Sequence, residues 1–254
     1  MIFLSKDGQD EYINMFARGC GYKPVANFDY DSSRAAIVLR GILKHKLMKR
    51  CWQDGRTFFY MDTGYFGNKR WKQWHRIVKN NLQHGDIIAR PGDRFEKFDL
   101  KFHPRRHGSK IVVALPDEKP CKFYGINRDQ WIKQTVDTIK QHTDRPIVLR
   151  ERAPLRIDRV ATDPLSQVLS NDVHALVTFN SVAAVESIFA GVPAFTLAPA
   201  NAAQPVANTD LTKIEDPYWA DSDKLYAWAC HLAYGQFHVN ELRDGSALRI
   251  LNED

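Results

Sequence analysis

The stretch Asn171–Leu197, NDVHALVTFNSVAAVESIFAGVPAFTL, decides how the rest of the chain is read. An apolar run, Val173–Phe179, meets the small polar pair Asn180-Ser181. A helix-like segment, Val182–Ala190, follows. Gly191 then interrupts, and a second apolar run extends from Val192 to Leu197. Strand, turn, helix, glycine stop and strand together describe one layer of a parallel α/β sheet. Asn180 or Ser181 can cap the helix, and Gly191 can take the left-handed backbone just past its end. The turn would then lie at the carboxyl end of a strand, where open α/β sheets bind ligands. Backbone N–H groups at such a turn attract phosphate or carboxylate. The same unit serves as plain scaffold in many α/β domains.

The surrounding chain repeats the pattern. Ala35–Gly41 reads as a buried strand, Ile42–Gln53 as a helix and Thr57–Met61 as a second strand. The intervening helix is long enough for a crossover between parallel strands. Further on, Lys110–Leu115 and Arg145–Arg150 read as strands around an amphipathic helix, Asp129–Thr143. Asp10–Arg18 and Pro164–Ser170 read as short helices. Asp221 or Ser222 can cap a helix through Tyr234, and Phe237–Ala247 reads as a last helix. Gly85–Pro91 offers a short strand, Pro116–Asn127 a loop, and Lys101–Gly108 an inter-domain connector.

A chain of 254 residues can bury one large core or two small ones. Hydrophobic residues at 44% and charged residues at 26% are globular values. The four cysteines, Cys20, Cys51, Cys121 and Cys230, form no CxxC pair. That spacing excludes a zinc ribbon and a disulfide scaffold and fits a reducing cytoplasm. The N-terminus lacks the long apolar stretch of a signal peptide, and no run is long enough to span a membrane. His103 and His107 flank Pro104, which disfavours the helix that a two-histidine metal site would need. No metal site is expected, although Asp29-Tyr30-Asp31 has the spelling of a paired-carboxylate motif.

The formal charge of +6 is unevenly placed. Residues 40–110 carry most of the excess, including Arg50, Arg56, Arg70, Arg76, Arg94, Arg105 and Arg106, and the C-terminal third is near neutral or acidic. A basic half can face a polyanion, or it can be an ordinary solvated surface. Trp71 and Trp74 lie among basic residues and share a face if the segment is helical. They could stack against a base or a sugar, or plug the core beneath that helix. Asp62, followed by Gly64 and Gly67 at the end of a strand, is well placed for chemistry.

The segment Asn180-Ser181, Glu186 and Ala190-Gly191-Val192-Pro193 resembles the nucleotide-binding half of glycosyltransferases of the two-Rossmann-domain (GT-B) type. Capsule and surface-glycan enzymes and small phage enzymes that glycosylate DNA bases are the members it brings to mind. The close match covers about 20 residues. The resemblance implies an α/β chain of two Rossmann-like domains with a cleft between them. An acceptor domain would span 1–108, a sugar-nucleotide domain 109–220, and bracing C-terminal helices 221–254. It further implies a nucleoside-diphosphate sugar as donor, in first place a UDP-sugar, with no tightly bound cofactor and no essential metal.

In such enzymes the donor site would draw on Asn180, Ser181 and Val182 for the diphosphate. Arg150, Arg152 and Lys122 would assist there, and Glu186 would bond the ribose. An inverting reaction needs a base, for which Asp62 is the first candidate, with Asp29, Asp31 and His75 in reserve. Trp71, Trp74, Arg70, Arg76, Arg94 and Arg105 would receive the acceptor. Their basic and aromatic character favours double-stranded DNA carrying hydroxymethylated bases, within a host cytoplasm if the chain is phage-encoded. A surface-glycan or lipid-linked acceptor is the alternative, and the apolar and basic faces of Ile42–Gln53 keep the lipid version open. A noncatalytic DNA-binding protein and a nucleotide-sugar epimerase are further readings of the same architecture.

Overall fold

The computed structural model describes residues 1–5, 8–41, 45–68, 73–152 and 164–252. It is a mixed α/β chain that divides into two compact units, Met1–Leu82 with Ala233–Asp254, and Gln83–Leu232. Among the described residues, no helix is long and apolar enough to cross a membrane.

The first unit holds a five-stranded sheet. Its strands are β1 (Ile2–Leu4), β2 (Ile37–Arg40), β3 (Phe58–Thr63), β4 (Trp74–Lys79) and β9 (Gln236–His238), in that spatial order. The first three are parallel, and β4 and β9 run antiparallel to their neighbours. Helix α1 (Glu11–Gly19) starts where the Asp10 carboxylate accepts the Ile13 N–H. It buries Ile13, Phe16 and Ala17, three positions of one helical face. They pack with Phe3, Val38, Met61, Ile77 and Phe237. Each such side chain, fully buried, contributes about 1.5–3 kcal/mol. Helix α2 (His45–Gln53) turns Met48 and Cys51 fully inward. Near the end of the unit come α9 (Val239–Arg243) and α10 (Ser246–Asn252).

Two segments of this unit differ from the sequence reading. Residues 74–79 form a strand, so the helical face shared by Trp71 and Trp74 does not exist there; residue 71 lies outside the described residues. Asn68 fixes the start of β4, its side chain both accepting the Trp74 N–H and donating to the Trp74 carbonyl. Residues 237 and 238, read as the start of the last helix, instead belong to β9 and pair with β4 before α9 begins.

The second unit is a doubly wound parallel sheet. Strands β5 (Lys110–Ala114), β6 (Ile147–Arg150), β7 (Val173–Thr178) and β8 (Ala194–Thr196) lie in the order β6-β5-β7-β8, all parallel. One face carries Ile111, Val113, Ala175, Val177 and Phe195 against Ile139 of α5 (Arg128–Lys140). The other carries Val112, Leu176 and Val192 against α6 (Leu165–Leu169) and α7 (Ala183–Phe189). Burial on both faces explains why β5 and β7 read as unbroken apolar runs. The supposed loop 116–127 contains α4 (Glu118–Tyr124). Pro120 falls in its first turn, where a missing N–H costs nothing.

Residues 83–108 belong to this unit, so the boundary lies at Leu82/Gln83 and not at 108. Aromatic packing holds them. Phe102 stacks on Phe189 at 4.6 Å, and Phe95 meets Phe189 and Tyr226 of α8 (Ser222–Tyr234). The backbone N–H groups of His103 and Arg106 donate to Phe189 and Gly191. The described chain has no strand at 85–91, and Ile88 is exposed.

Candidate functional site

In the sheet of the second unit, the strand order reverses between β5 and β7, because β6 follows β5 outward on one side and β7 and β8 lie on the other. Ligands of doubly wound sheets bind outside the strand carboxyl ends at such a switch point. The loops that leave β5 and β7 there begin at Leu115 and Phe179. Thr178 bridges the two strands, its hydroxyl donating to the Ala114 carbonyl at 3.2 Å.

The turn after β7 is held from one side. Gln83 Nε2 donates to the Asn180 carbonyl, and Asn201 Nδ2 donates to the Ser181 carbonyl at 3.2 Å. The Ser181 hydroxyl accepts the Ala183 N–H at 3.1 Å, while Val182 occupies the N-cap position without a side-chain cap. The amide N–H groups of Asn180, Ser181 and Val182 meet no acceptor among the described residues. Three donors are therefore left at the end of β7 while the neighbouring carbonyls are occupied.

Past α7 the chain closes in a Schellman motif. Val192 N–H donates to Ser187 and Gly191 N–H to Ile188, with Gly191 at φ +79°. This is the glycine stop that the sequence placed at 191.

Glu186 projects from α7 with an accessible face. Desolvation raises its carboxyl above the ordinary glutamate value, and the charge of Arg150 acts against that rise. Arg150 ends β6, opposite Ala114 of β5. Arg152 is largely exposed, 3.8 Å from Asp117. Arg128, at the start of α5, donates to the Pro116 carbonyl and pairs with Glu151. That contact ties the loop after β5 to the loop after β6. Lys122 stands on an exposed face of α4, 3.9 Å from Glu118. Gln83, Asn201 and Arg128 carry no local sequence signal, because each acts through contacts distant in the chain.

Asp62 lies in the first unit. Its Oδ2 receives Tyr60 Oη at 2.8 Å and Arg76 Nη2 at 3.2 Å, and its Oδ1 receives the Thr63 N–H at 2.7 Å. Desolvation pushes the carboxyl up, but Arg76 and the two hydrogen bonds outweigh it and hold it below the ordinary aspartate value. Arg76 is buried and also donates to the Thr63 carbonyl.

The described residues expected to receive an acceptor are divided between the two units. Arg70 and Trp71 lie outside the described residues. Trp74 faces His238 across the β4–β9 ladder at 5.2 Å between ring centres. Arg76 is the buried partner of Asp62. Arg94, on α3 (Asp93–Glu96), and Arg105 belong to the second unit. Of the reserves, His75 is fully buried against Tyr12, and Asp31 pairs with Arg50 while Asp29 accepts the Asp31 N–H. Among the described residues, no group of three or more His, Cys, Asp or Glu is placed to hold a metal ion.

Two solved structures are similar to the chain. The Thermosulfurimonas dismutans KpsC beta Kdo 2,4 transferase shares 10% identity at a TM-score of 0.48, covering 89% of this chain and 88% of its own. The beta Kdo 2,7 transferase of the same organism's KpsC shares 11% identity at a TM-score of 0.49, covering 100% and 99%. No protein-family model and no curated protein sequence matches the chain. A likeness at this level carries no functional assignment.

Proposed function

We propose that the chain is a nucleotide-sugar-dependent glycosyltransferase of the two-domain GT-B type, with its donor site at the carboxyl edge of the doubly wound sheet and a surface glycan as acceptor. The observation that carries the donor site is the turn Asn180–Val182, whose three N–H groups lack acceptors at a switch point beside Arg150. Preorganised N–H donors and a guanidinium stabilise the charge that develops on a departing nucleoside diphosphate. The bond from the sugar's anomeric carbon to the phosphate oxygen breaks with its electron pair staying on the departing nucleoside diphosphate, a bond from that carbon to an acceptor hydroxyl oxygen forms, and the hydroxyl proton passes to the departing diphosphate or to solvent water. Glu186, one helical turn beyond the cap, accepts from ribose hydroxyls in this reading, and Arg152 adds positive charge from the loop after β6.

Features of the described residues support the glycan acceptor over the other two. A DNA acceptor called for a basic surface with stacking aromatics, yet Arg76 is a buried ion-pair partner and Trp74 packs on His238. A lipid surface called for an apolar helix face, but α2 turns Met48 and Cys51 into the core. A glycan requires neither feature. Asp62 enters the proposal as the counter-ion of Arg76, since a carboxylate held below its ordinary pKa is a weak base. Sugar transfer is also the class of reaction named for the two Thermosulfurimonas dismutans chains.

The test is turnover of a panel of uridine, guanosine and cytidine sugar nucleotides with oligosaccharide acceptors and, in parallel, with hydroxymethylated duplex DNA. Transfer to an oligosaccharide supports the proposal. Transfer to DNA alone returns the acceptor to the first reading of the sequence. Failure to bind any sugar nucleotide removes the glycosyltransferase assignment.

A further inference from the structure

Gln83 is 3% exposed, and both ends of its amide are used. Nε2 donates to the Asn180 carbonyl, 97 residues away, and Oε1 accepts the Ala202 N–H at 3.0 Å. Ala202 is held from its other side too, because Trp228 Nε1 donates to its carbonyl at 2.6 Å. Asn201, fully buried, adds a parallel brace by donating to the Ser181 carbonyl while accepting the Ala203 N–H. The segment 201–203 thus forms a backboard for the turn after β7, and Gln83 is the bolt between them.

The consequence is directional. Successive backbone amides in a turn cannot reorient independently once their carbonyls are bonded. With the Asn180 and Ser181 carbonyls drawn toward Gln83 and Asn201, the peptide planes that carry the next two N–H groups, those of Ser181 and Val182, are fixed. Donors fixed before a ligand arrives stabilise an anion without having to reorganise.

We infer that Gln83 is a positioning residue for the donor-binding turn. It touches no ligand and acts through the backbone of Asn180. The inference rests on the donor-site reading above, with a nucleoside diphosphate as the ligand class.

Gln83→Met preserves side-chain length and removes both hydrogen bonds. If that variant does not fold, Gln83→Asn carries the same test, being one methylene too short to bridge Asn180 and Ala202. Two measurements are made on the full chain and the variant: amide hydrogen exchange without ligand, and calorimetric titration with UDP and with GDP. Gln83→Met is expected to speed exchange at residues 180–183 and 202 while the strands of the same sheet keep their protection. It is expected to weaken nucleotide binding at least about tenfold, a change of about 1.4 kcal/mol. Unchanged exchange at 180–183 overturns the clamp. Faster exchange with unchanged nucleotide affinity overturns its role in binding. If the unmutated chain binds neither nucleotide, the donor-site reading falls and the positioning role falls with it, while the exchange data still decide whether the clamp exists.

Discussion

Arg76 Nη2 lies 3.2 Å from Asp62 Oδ2, on neighbouring strands of the first unit's sheet, where the two residues are direct register partners. The guanidinium is buried and the carboxylate keeps part of its surface in solvent. Removing the acid therefore leaves a buried cation without its counter-ion. Asp62→Ala is expected to cost about 3 kcal/mol of stability, the lower end of what breaking a buried pair costs, because the pair is partly wet. Urea unfolding of the variant measures it. A catalytic base would behave differently: turnover would collapse while the unfolding midpoint held.

His231 gives a pH dependence with a definite sign. It is 5% exposed, and burial pushes its imidazole down to about 4; the nearby charge of Arg90 acts in the same direction and Asp86 against it. The His84 ring meets it edge-on at 5.3 Å. In the unfolded chain the imidazole takes its proton near the ordinary value of 6.5. Between those values the unfolded state binds more protons than the fold, so stability is complete above about 6.5 and falls as pH drops toward about 4. The upper bound on the loss is about 3 kcal/mol. His174, also lowered by burial, adds to the same slope. Urea midpoints at neutral pH and near pH 5 are expected to show the decline, and His231→Phe is expected to flatten it.

Gly125 and Gly191 both end helices in the left-handed conformation, at φ +70° and +79°. A Cβ on Gly125 meets nothing within 4 Å, whereas one on Gly191 falls 2.1 Å from the Pro104 carbonyl oxygen. Gly125→Ala is expected to cost about 1 kcal/mol, from backbone conformation alone. Gly191→Ala is expected to cost clearly more, because residues 103–106 must move from the end of α7. Thermal unfolding of the two variants side by side checks this, and equal losses would show that the close approach is readily relieved.

On the proposed function, Glu186 accepts from the ribose hydroxyls of the donor. Its accessible carboxylate makes Glu186→Ala nearly neutral for folding, within about 0.5 kcal/mol. On the proposed function the same change weakens sugar-nucleotide binding about tenfold, the worth of a hydrogen bond to a charged group. Titration with the donor that binds best separates the two effects, and undiminished affinity would remove Glu186 from the site.

The organising stretch was legible because its signals are local. Apolar runs, a small polar turn and Gly191 lie within 27 residues, and β7, α7 and β8 appear where that punctuation puts them. The pairing of β9 with β4 was not legible. Gln236–His238 is three residues long and finds its partner some 160 positions upstream, so its helical flanks dominate the pattern. The placement of Trp74 and Arg76 was not legible for a related reason. Basic and aromatic composition cannot distinguish a solvated surface from a ladder whose arginine is buried against an aspartate. The domain boundary moved because Phe95 and Phe102 are strong anchors within a segment whose prolines and charges read as a connector. Gln83 left no trace at all, since a glutamine in a polar loop acquires its role only from the carbonyl it meets.

On the proposed function, the turn after β7 binds the diphosphate of a sugar nucleotide. The most direct measurement is amide chemical-shift mapping on the ¹⁵N-labelled chain during titration with UDP-, GDP- and CMP-sugars. One donor is expected to shift the amide resonances of Asn180, Ser181 and Val182 more than any others in the second unit, and Arg150→Ala is expected to weaken the response. No response to any donor, or a response centred on another part of the chain with these three amides unmoved, would contradict the proposal.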